Sequence, residues 1–308
     1  MRSGLSHPVL IRRLFGGRTV ANSRAVLVVG MHRSGTSAVT RGLQALSVYL
    51  GRDFLDAQPE NPTGYWEDKG IVAIDERVLA ALGLSWDSVS PIEPGAFESR
   101  RLRRLQREAV RYLAHAFAAH PLWGFKDPRA IRVLPFWRRV FASSNVRDAY
   151  VVAIRNPRSV AESLYRRQGM QVETAYRLWL VNVVPFLDEI ASRPFVVTDY
   201  DLLMQQPRRQ LERISVALEL PFPGGDPDPI DEFSAHFLDA SLRHSAYAPD
   251  DVAGDTAAGR LVRRAYGLLY ARANDASPGP SAFWVAWKDA REELTAVIQG
   301  DAAGAPEA

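Results

Sequence analysis

The sequence of 308 residues contains no cysteine, which excludes disulfides, thiolate metal ligands and cysteine nucleophiles. It also lacks any run of about 20 apolar residues, the length that an apolar helix needs to cross a bilayer. The N-terminus shows neither the apolar core nor the small-residue cleavage site of a secretory signal. These absences predict a cytoplasmic protein without a transmembrane segment.

Lysine is nearly missing as well. Lys69, Lys126 and Lys288 are the only lysines, and the remaining 35 basic residues are arginines, a bias that the codon usage of a GC-rich genome produces. The formal net charge is only +3, so charge by itself does not indicate a nucleic-acid partner. No arginine cluster is interleaved with aromatic residues, and none of the six histidines has metal-ligand spacing. We therefore predict no nucleic-acid partner and no metal.

Short apolar runs alternate with helical patterns along the chain. The predicted strands are 25–30, 123–126, 149–155 and 195–198, and the predicted helices are 37–50, 71–83, 98–119, 157–168, 171–191, 207–218, 257–273 and 282–298. This alternation predicts an α/β protein, a three-layer fold with a central parallel sheet flanked by helices. We expect a flexible basic segment over residues 1–24, a single domain over 25–299 and a disordered tail over 300–308.

One glycine-containing turn has the context of an anion-binding loop. It reads G-M-H-R-S-G-T-S, begins at Gly30, and joins a predicted buried strand to a predicted helix. Successive backbone N–H groups and a helix N-terminus then point at one spot. The glycine spacing equals that of the nucleotide-triphosphate loop G-x-x-x-x-G-K-[ST], but Thr36 replaces the lysine and the loop's cation is Arg33.

An ATP-hydrolysing enzyme also needs an acidic residue to help hold magnesium. Asp199, after the predicted strand F-V-V-T, is the best candidate for that ligand, but we interpret it as a cap of the turn that follows. The missing lysine and this interpretation of Asp199 together argue against phosphoryl transfer.

A second anion-binding site is predicted where the strand V-V-A-I ends in Arg155. Ligands of open α/β sheets bind at the carboxyl ends of strands, which is where Arg155 projects. Asn156-Pro157 marks the start of the next helix. Ser159 and Ser163 are four residues apart on that helix and share one of its faces.

Together these two motifs resemble those of sulfotransferases that use 3′-phosphoadenosine 5′-phosphosulfate. The Gly30 turn is similar to the 5′-phosphosulfate loop of that family, and Arg155 with Ser163 is similar to the pair that binds the 3′-phosphate. The resemblance implies a P-loop-like fold. It also implies a set of donor-binding residues: His32, Arg33, Ser34, Gly35, Thr36, Ser37, Arg155 and Ser163.

Three other segments extend the resemblance. W-G-F-K-D-P-R, from Trp123, resembles a K-D-P segment of the tyrosyl-protein and bacterial carbohydrate branches, where the lysine contacts the sulfuryl group. N-P-T-G-Y-W-E-D, from Asn61, resembles a block in bacterial members, and D-Y-D-L-L, from Asp199, resembles the family's Y-x-D-L stretch. The R-K-G motif of the cytosolic branch is missing, and Ser241-Leu242-Arg243-His244 is a candidate substitute.

The resemblance implies sulfuryl transfer to the hydroxyl of a glycan, a glycolipid or a small metabolite. An in-line displacement needs positioning, charge stabilisation and a base. Arg33 and the loop amides would hold the sulfuryl oxygens, and Lys126 would stabilise charge on the leaving phosphate. Glu67 is the preferred general base. Glu60 is the next candidate, followed by Asp68 and His32.

Other interpretations stay open at this stage. Glu67 could instead be a stabilising charge at a helix N-terminus. The chain could also be a P-loop kinase or triphosphatase that uses ATP and magnesium, or a non-catalytic nucleotide-binding protein. The first alternative predicts magnesium-dependent binding of ATP, and the second predicts binding without turnover.

Overall fold

In the computed structural model, residues 19–58, 64–238, 247–252, 255–277 and 279–302 are described. These residues contain four strands: β1, Arg24–Val29; β2, Leu122–Lys126; β3, Arg147–Ile154; and β4, Phe195–Asp199. The strands form one sheet in the order β2-β1-β3-β4, and every neighbouring pair is parallel. Two short 3-10 helices, Pro94–Glu98 and Leu187–Ile190, lie in the connections.

Helices make up most of the remaining described chain. Those before β4 are α1, Thr36–Ala45; α2, Lys69–Ala81; α3, Arg100–Phe117; α4, Leu134–Ser144; α5, Pro157–Gln168; and α6, Val172–Val183. Those after β4 are α7, Tyr200–Gln205; α8, Pro207–Ala217; α9, Pro229–His236; α10, Ala257–Ala273; and α11, Pro280–Ala302. None of the described helices is long and apolar enough to cross a membrane.

Successive strand residues point to opposite sides of the sheet, and helices pack on both of its faces. Val26 and Val28 of β1 pack in one apolar cluster with residues of α1, α8 and α9. Leu27 and Val29 pack in a larger cluster with residues of α2 to α6, α10 and α11. Burying one such side chain contributes about 1.5–3 kcal/mol, so both layers are held to the sheet by many such contacts. The predicted three-layer fold with a parallel central sheet is confirmed.

Most predicted elements are present, with ends that differ by a few residues. Helix α6 stops at Val183 rather than at 191, because Pro185 has no backbone N–H with which to continue the helical hydrogen bonds. Helices α4, α7 and α9 were not predicted. Residues 300–302 of the predicted tail belong to α11, and residues 1–18 of the predicted basic segment lie outside the described residues.

The register of the sheet decides what meets at its carboxyl edge. Val28 of β1 pairs with Lys126 of β2, and Val29 pairs with Val152 of β3. The turn that begins at Gly30 therefore leaves the sheet between the ends of β2 and β3. Lys126 ends one neighbouring strand and Arg155 directly follows the other.

This close pairing can be tested at Gly124 of β2. A Cβ at that position would lie 2.4 Å from the carbonyl oxygen of Val26 and 3.1 Å from Cγ1 of Val48. Because the nearer atom belongs to the backbone of β1, the two strands would have to separate. We expect Gly124→Ala to lower the free energy of unfolding by about 1–3 kcal/mol, measured by urea denaturation.

Gly267→Ala is the matched control. A Cβ at Gly267 of α10 would have no heavy atom within 4 Å, and alanine is the better helix former by about 0.5–1 kcal/mol. The control should therefore be slightly more stable than the wild type. An unchanged midpoint for Gly124→Ala would contradict the close approach of β1 and β2.

Candidate active site

The turn from Gly30 to Ser37 joins β1 to α1 and has two left-handed residues. Arg33 has a φ of 69° and Gly35 a φ of 76°. A Cβ on Gly35 would lie 2.2 Å from the ring of Tyr200, so glycine is required there for its small size as well as for its backbone. Gly35 is the N-cap of α1 and supplies no side-chain cap. The first turn of α1 thus presents backbone N–H groups and the positive end of the helix dipole to this edge of the sheet.

Several buried polar atoms around this turn have no hydrogen-bond partner among the described residues. They are the Oγ of Ser34, the Oγ of Ser159 and the Nε2 of His32. A buried polar group without a partner costs about 1–3 kcal/mol, so such groups are rare unless they serve a ligand. Hydroxyl groups that can donate, beside an uncapped helix N-terminus, fit an anionic ligand with several oxygens.

The two predicted anion-binding motifs meet through a direct hydrogen bond. The Nε of Arg33 donates to the Oγ of Ser163 at 2.8 Å, across 130 residues of sequence. Arg155 is buried, and its guanidinium lies 4.7 Å from the centre of the Tyr200 ring. The same ring packs against Gly35. The loop, the end of β3 and α5 therefore form one continuous surface.

A buried ion pair closes the other side of the loop. The Nζ of Lys126 donates to Oε1 of Glu67 at 2.6 Å, to the carbonyl oxygen of Tyr65 at 2.8 Å and to the Oγ of Ser37 at 3.2 Å. Lys126 is 2% exposed and Glu67 is 6% exposed. The loop has no lysine of its own, but the neighbouring strand brings an ammonium group to its last residue.

Glu67 also has a second cation on its opposite oxygen. The Nη1 of Arg129 lies 3.7 Å from Oε2 of Glu67 and 2.9 Å from Oδ1 of Asp127, and Nη2 lies 3.2 Å from Oε1 of Glu76. The positive charges of Lys126 and Arg129 compensate the negative charge of the buried Glu67.

The residue after Glu67 has a different task. Oδ1 of Asp68 accepts hydrogen bonds from the backbone of Gly70 and Ile71, both at 3.0 Å, so Asp68 is the N-cap of α2. It also accepts from the hydroxyl of Tyr112. Burial raises the pKa of Asp68 despite these bonds. The helix-terminal role considered for Glu67 thus belongs to Asp68.

His32 is held as a neutral imidazole. Its ring centre lies 4.7 Å from that of Trp86. Burial lowers the pKa of His32 well below its usual value, and the nearby charges of Arg129 and Lys126 lower it further. At neutral pH its ring nitrogens can therefore give one donor and one acceptor to a ligand in the loop.

Asp199 caps α7, as the sequence analysis indicated. Its Oδ1 accepts from the backbone N–H groups of Asp201 at 2.9 Å and Leu202 at 3.1 Å, and its Oδ2 accepts from the hydroxyl of Tyr266 at 3.2 Å. Burial raises the pKa of Asp199 to about 7. Within the part of the chain that the structure describes, no group of three or more metal-binding side chains is found.

The sequence analysis missed three residues of this arrangement: Asp75, Arg129 and Tyr200. Asp75 had a signal, because an acid stands on the apolar face of α2 between Ile71 and Val78. Arg129 and Tyr200 stand within the W-G-F-K-D-P-R and D-Y-D-L-L segments, but the resemblance assigns a role to neither of them. Glu60, the residues 61–63 and the segment 241–244 lie outside the described residues.

Comparisons with known proteins identify a family for most of the chain. Residues 25–224 match the model of a sulfotransferase family, Sulfotransfer_3. One similar solved structure is the sulfotransferase domain of the Synechococcus PCC 7002 olefin synthase, at 15% identity and a TM-score of 0.48, covering 80% of this chain and 96% of that chain. Another is the sulfotransferase STF1 of Mycobacterium tuberculosis H37Rv, at 15% identity and a TM-score of 0.40, covering 74% and 75%. None of the curated proteins matches the sequence significantly.

The buried ion pair can be tested by a double-mutant cycle with Glu67→Gln and Lys126→Met. Removing one partner leaves the other charge buried, so each single change should lower the free energy of unfolding by about 3–5 kcal/mol. The double variant should lose less than the sum of the two single losses, with a coupling of about 1–3 kcal/mol. Chemical denaturation measures all three values.

An exposed pair on α11 is the control. The Nζ of Lys288 lies 3.7 Å from Oε1 of Glu292, and both side chains are 66% exposed. The same cycle on this pair should give a coupling of about 0.5 kcal/mol or less. Additive losses at Glu67 and Lys126 would show that the two charges do not depend on each other.

Proposed function

The chain belongs to the sulfotransferase family, and we propose that it transfers a sulfuryl group from 3′-phosphoadenosine 5′-phosphosulfate to an acceptor hydroxyl. The family match agrees with the resemblance read from the motifs. One observation carries the finer proposal. The N-terminus of α1, which has no side-chain cap, lies at the same edge of the sheet as two buried basic residues, Lys126 at the end of β2 and Arg155 directly after β3.

The residues around the loop fit a donor with two anionic groups. The backbone of residues 32–37 and the hydroxyls of Ser34 and Ser37 would hold the 5′-phosphosulfate. Arg155 and Ser163 would hold the 3′-phosphate. Arg33, which contacts Ser163 from within the loop, would lie between the two groups. When bound, the donor supplies an electrophilic sulfur whose leaving group is a phosphate.

Lys126 is placed to stabilise negative charge at the loop. Its ammonium contacts Ser37 and is buried, so its charge acts with little screening by solvent. Because the same ammonium also holds Glu67, it keeps this carboxylate next to the loop. Arg33 adds a second positive charge within the loop itself.

Glu67 is the general base of this proposal. Its buried carboxylate is held beside the loop by Lys126, which contacts both Glu67 and Ser37. In the reaction this carboxylate would accept one proton from the acceptor hydroxyl. Asp68 is less suited, because its carboxylate caps α2 and bonds Tyr112. His32 is the other candidate among the described residues because it lies within the loop, but burial and the nearby cations lower its pKa and make it a weaker proton acceptor. The acceptor would be a hydroxyl of a glycan, a glycolipid or a small metabolite.

Donor binding gives the first test. We expect 3′-phosphoadenosine 5′-phosphate to raise the melting temperature without magnesium. Arg155→Ala and Ser163→Ala should each lower the affinity for this nucleotide about ten- to a hundredfold, measured by calorimetry, because a hydrogen bond to a charged group contributes about 1.5–3 kcal/mol. Binding of adenosine 5′-phosphate, which lacks the 3′-phosphate, should change little.

Arg260→Ala, at an exposed arginine of α10, is the control and should leave both affinities unchanged. Equal weakening of both nucleotides in Arg155→Ala would refute the 3′-phosphate assignment. Stabilisation by ATP and magnesium alone would instead favour a kinase or triphosphatase.

Turnover gives the second test. Glu67→Gln should lower kcat by about a hundred- to ten-thousandfold, the usual share of general base catalysis. Its affinity for 3′-phosphoadenosine 5′-phosphate should stay near that of the wild type. The measurement uses radiolabelled donor and an acceptor found by screening sugars, glycolipids and phenols.

Glu212→Gln, at an exposed glutamate of α8, is the matched control. It should keep full turnover. If Glu67→Gln also keeps full turnover, the base is a different residue, and His32 and Glu60 are the next variants to measure.

A further inference from the structure

A half-buried tryptophan lies against the loop that begins at Gly30. The ring centre of Trp86 is 4.7 Å from that of His32. The guanidinium of Arg167, near the end of α5, lies 5.7 Å from the centre of the Trp86 ring, which is within the range of a cation–π contact. Arg167 itself is exposed. An aromatic ring and a cation that is open to solvent therefore stand directly beside the loop.

The turn that carries Trp86 is anchored to the segment after β2. The guanidinium of the buried Arg132 donates hydrogen bonds to the carbonyl oxygens of Ser88 and Ser90. Arg132 follows Lys126 on the same segment, and Lys126 is the residue that holds the proposed base beside the loop. These bonds fix the position of the Trp86 turn relative to the proposed reaction site.

Arg167 is joined to the loop by its own helix. Ser163, one turn earlier on α5, accepts the hydrogen bond from Nε of Arg33 at 2.8 Å. Residues four apart on a helix share a face, so Arg167 lies on the face of α5 that meets the loop. Trp86 contacts both His32 and Arg167. The loop, the Trp86 turn and α5 thus meet at one place.

Arg167 has no ion pair among the described residues. Its neighbour Arg166 does have one, since its Nη2 lies 3.8 Å from Oε2 of Glu162. Arg129, which also lies near the proposed base, has ion pairs with Asp127 and with two glutamates. The contacts proposed for the donor use other cations. The charge of Arg167 is therefore left for the second substrate.

The chemistry of this cation indicates what it would bind. A guanidinium presents its N–H donors in a planar fork that matches the two oxygens of a carboxylate. A single guanidinium carries one positive charge, which balances one carboxylate. The contact with Trp86 restricts the guanidinium before a ligand arrives, so less conformational freedom is lost on binding.

We propose that Arg167, held by Trp86, binds a carboxylate of the acceptor, so that the acceptor is a hydroxy acid. Arg167 determines specificity, and Trp86 is a positioning residue. In the reaction the S–O bond to the leaving phosphate breaks, a new S–O bond forms to the acceptor oxygen, and the hydroxyl proton goes to Glu67. The inference rests on the proposed function, because it names the class of acceptor for the same site.

Binding to the protein saturated with 3′-phosphoadenosine 5′-phosphate tests this proposal without turnover. Calorimetry compares two matched pairs of probes: methyl glucuronide with methyl glucoside, and hydroxyphenylacetate with its amide. In at least one pair the acid should bind about ten- to a hundredfold more tightly than its neutral partner, the range expected for a hydrogen bond between charged groups. The pair that shows this difference distinguishes a sugar acid from a phenolic acid.

Substitutions of the arginine assign the preference to it. Arg167→Gln should weaken the acid to the affinity of its neutral partner, and Arg167→Glu should weaken it further through repulsion. The affinity of the neutral partner should stay within about twofold of the wild type in both variants. Arg166→Gln is the matched control at a neighbouring arginine that already has an acidic partner, and it should keep the full preference.

Substitutions of the tryptophan test the positioning role. Trp86→Ala should weaken binding of the acid about two- to tenfold, because the guanidinium loses the ring beneath it. Trp86→Phe should restore most of this affinity, since phenylalanine also offers a ring. Each Arg167 and Trp86 variant should bind 3′-phosphoadenosine 5′-phosphate within about twofold of the wild type.

Several results would overturn the inference. One is equal affinity for the acid and the neutral member of both pairs, or no detectable binding of any probe. Another is an equal loss of affinity for the acid in Arg167→Gln and Arg166→Gln. A loss of nucleotide affinity in Arg167→Gln would assign this arginine to the donor instead. If the wild type does not bind 3′-phosphoadenosine 5′-phosphate, the proposed function itself fails. If the nucleotide binds and only the preference for the acid is missing, this inference alone fails.

Discussion

The parallel register of β1 with β2 and β3 is the constraint on which the site depends. A parallel sheet brings the carboxyl ends of all its strands to one edge, and β1 is central. The loop after β1 is therefore flanked by Lys126 and Arg155, residues that are far apart in sequence. A slip of either neighbouring strand by one residue would turn its basic side chain to the other face of the sheet.

The site gathers charge in a place where charge is costly. Lys126, Glu67, Asp127, Asp75 and Arg155 are all buried. An isolated buried charge is strongly unfavourable, so each must be paired or neutralised. The structure pairs these charges across the edge: Lys126 contacts Glu67, Glu67 lies beside Arg129, and Arg129 contacts Asp127. Such a chain holds every member in a narrow range of positions, which is what positioning for catalysis requires.

Much of the fold followed from local patterns in the sequence. The strands that contain Leu27 and Val151 are short apolar runs, and such runs predict buried parallel strands. The motif resemblance assigned residues 32–37, Arg155 and Ser163 to donor binding, and the glycine spacing and strand-to-helix turns that carry this resemblance are local features. Helix α4 was not predicted from the sequence, although its apolar and aromatic residues are buried in the larger cluster. Helix α6 is shorter than predicted, because Pro185 interrupts its hydrogen bonds.

The sequence by itself determined the elements, the parallel sheet and the residues that face its carboxyl edge, because periodicity and turn chemistry act over a few residues. Only the tertiary structure decided which charges meet. The bond from Arg33 to Ser163, the pairing of Lys126 with Glu67 and the bond from Trp137 to Asp75 join residues that are tens of residues or more apart. The partner of a buried charge is set by packing between elements, and no local pattern of residues encodes it.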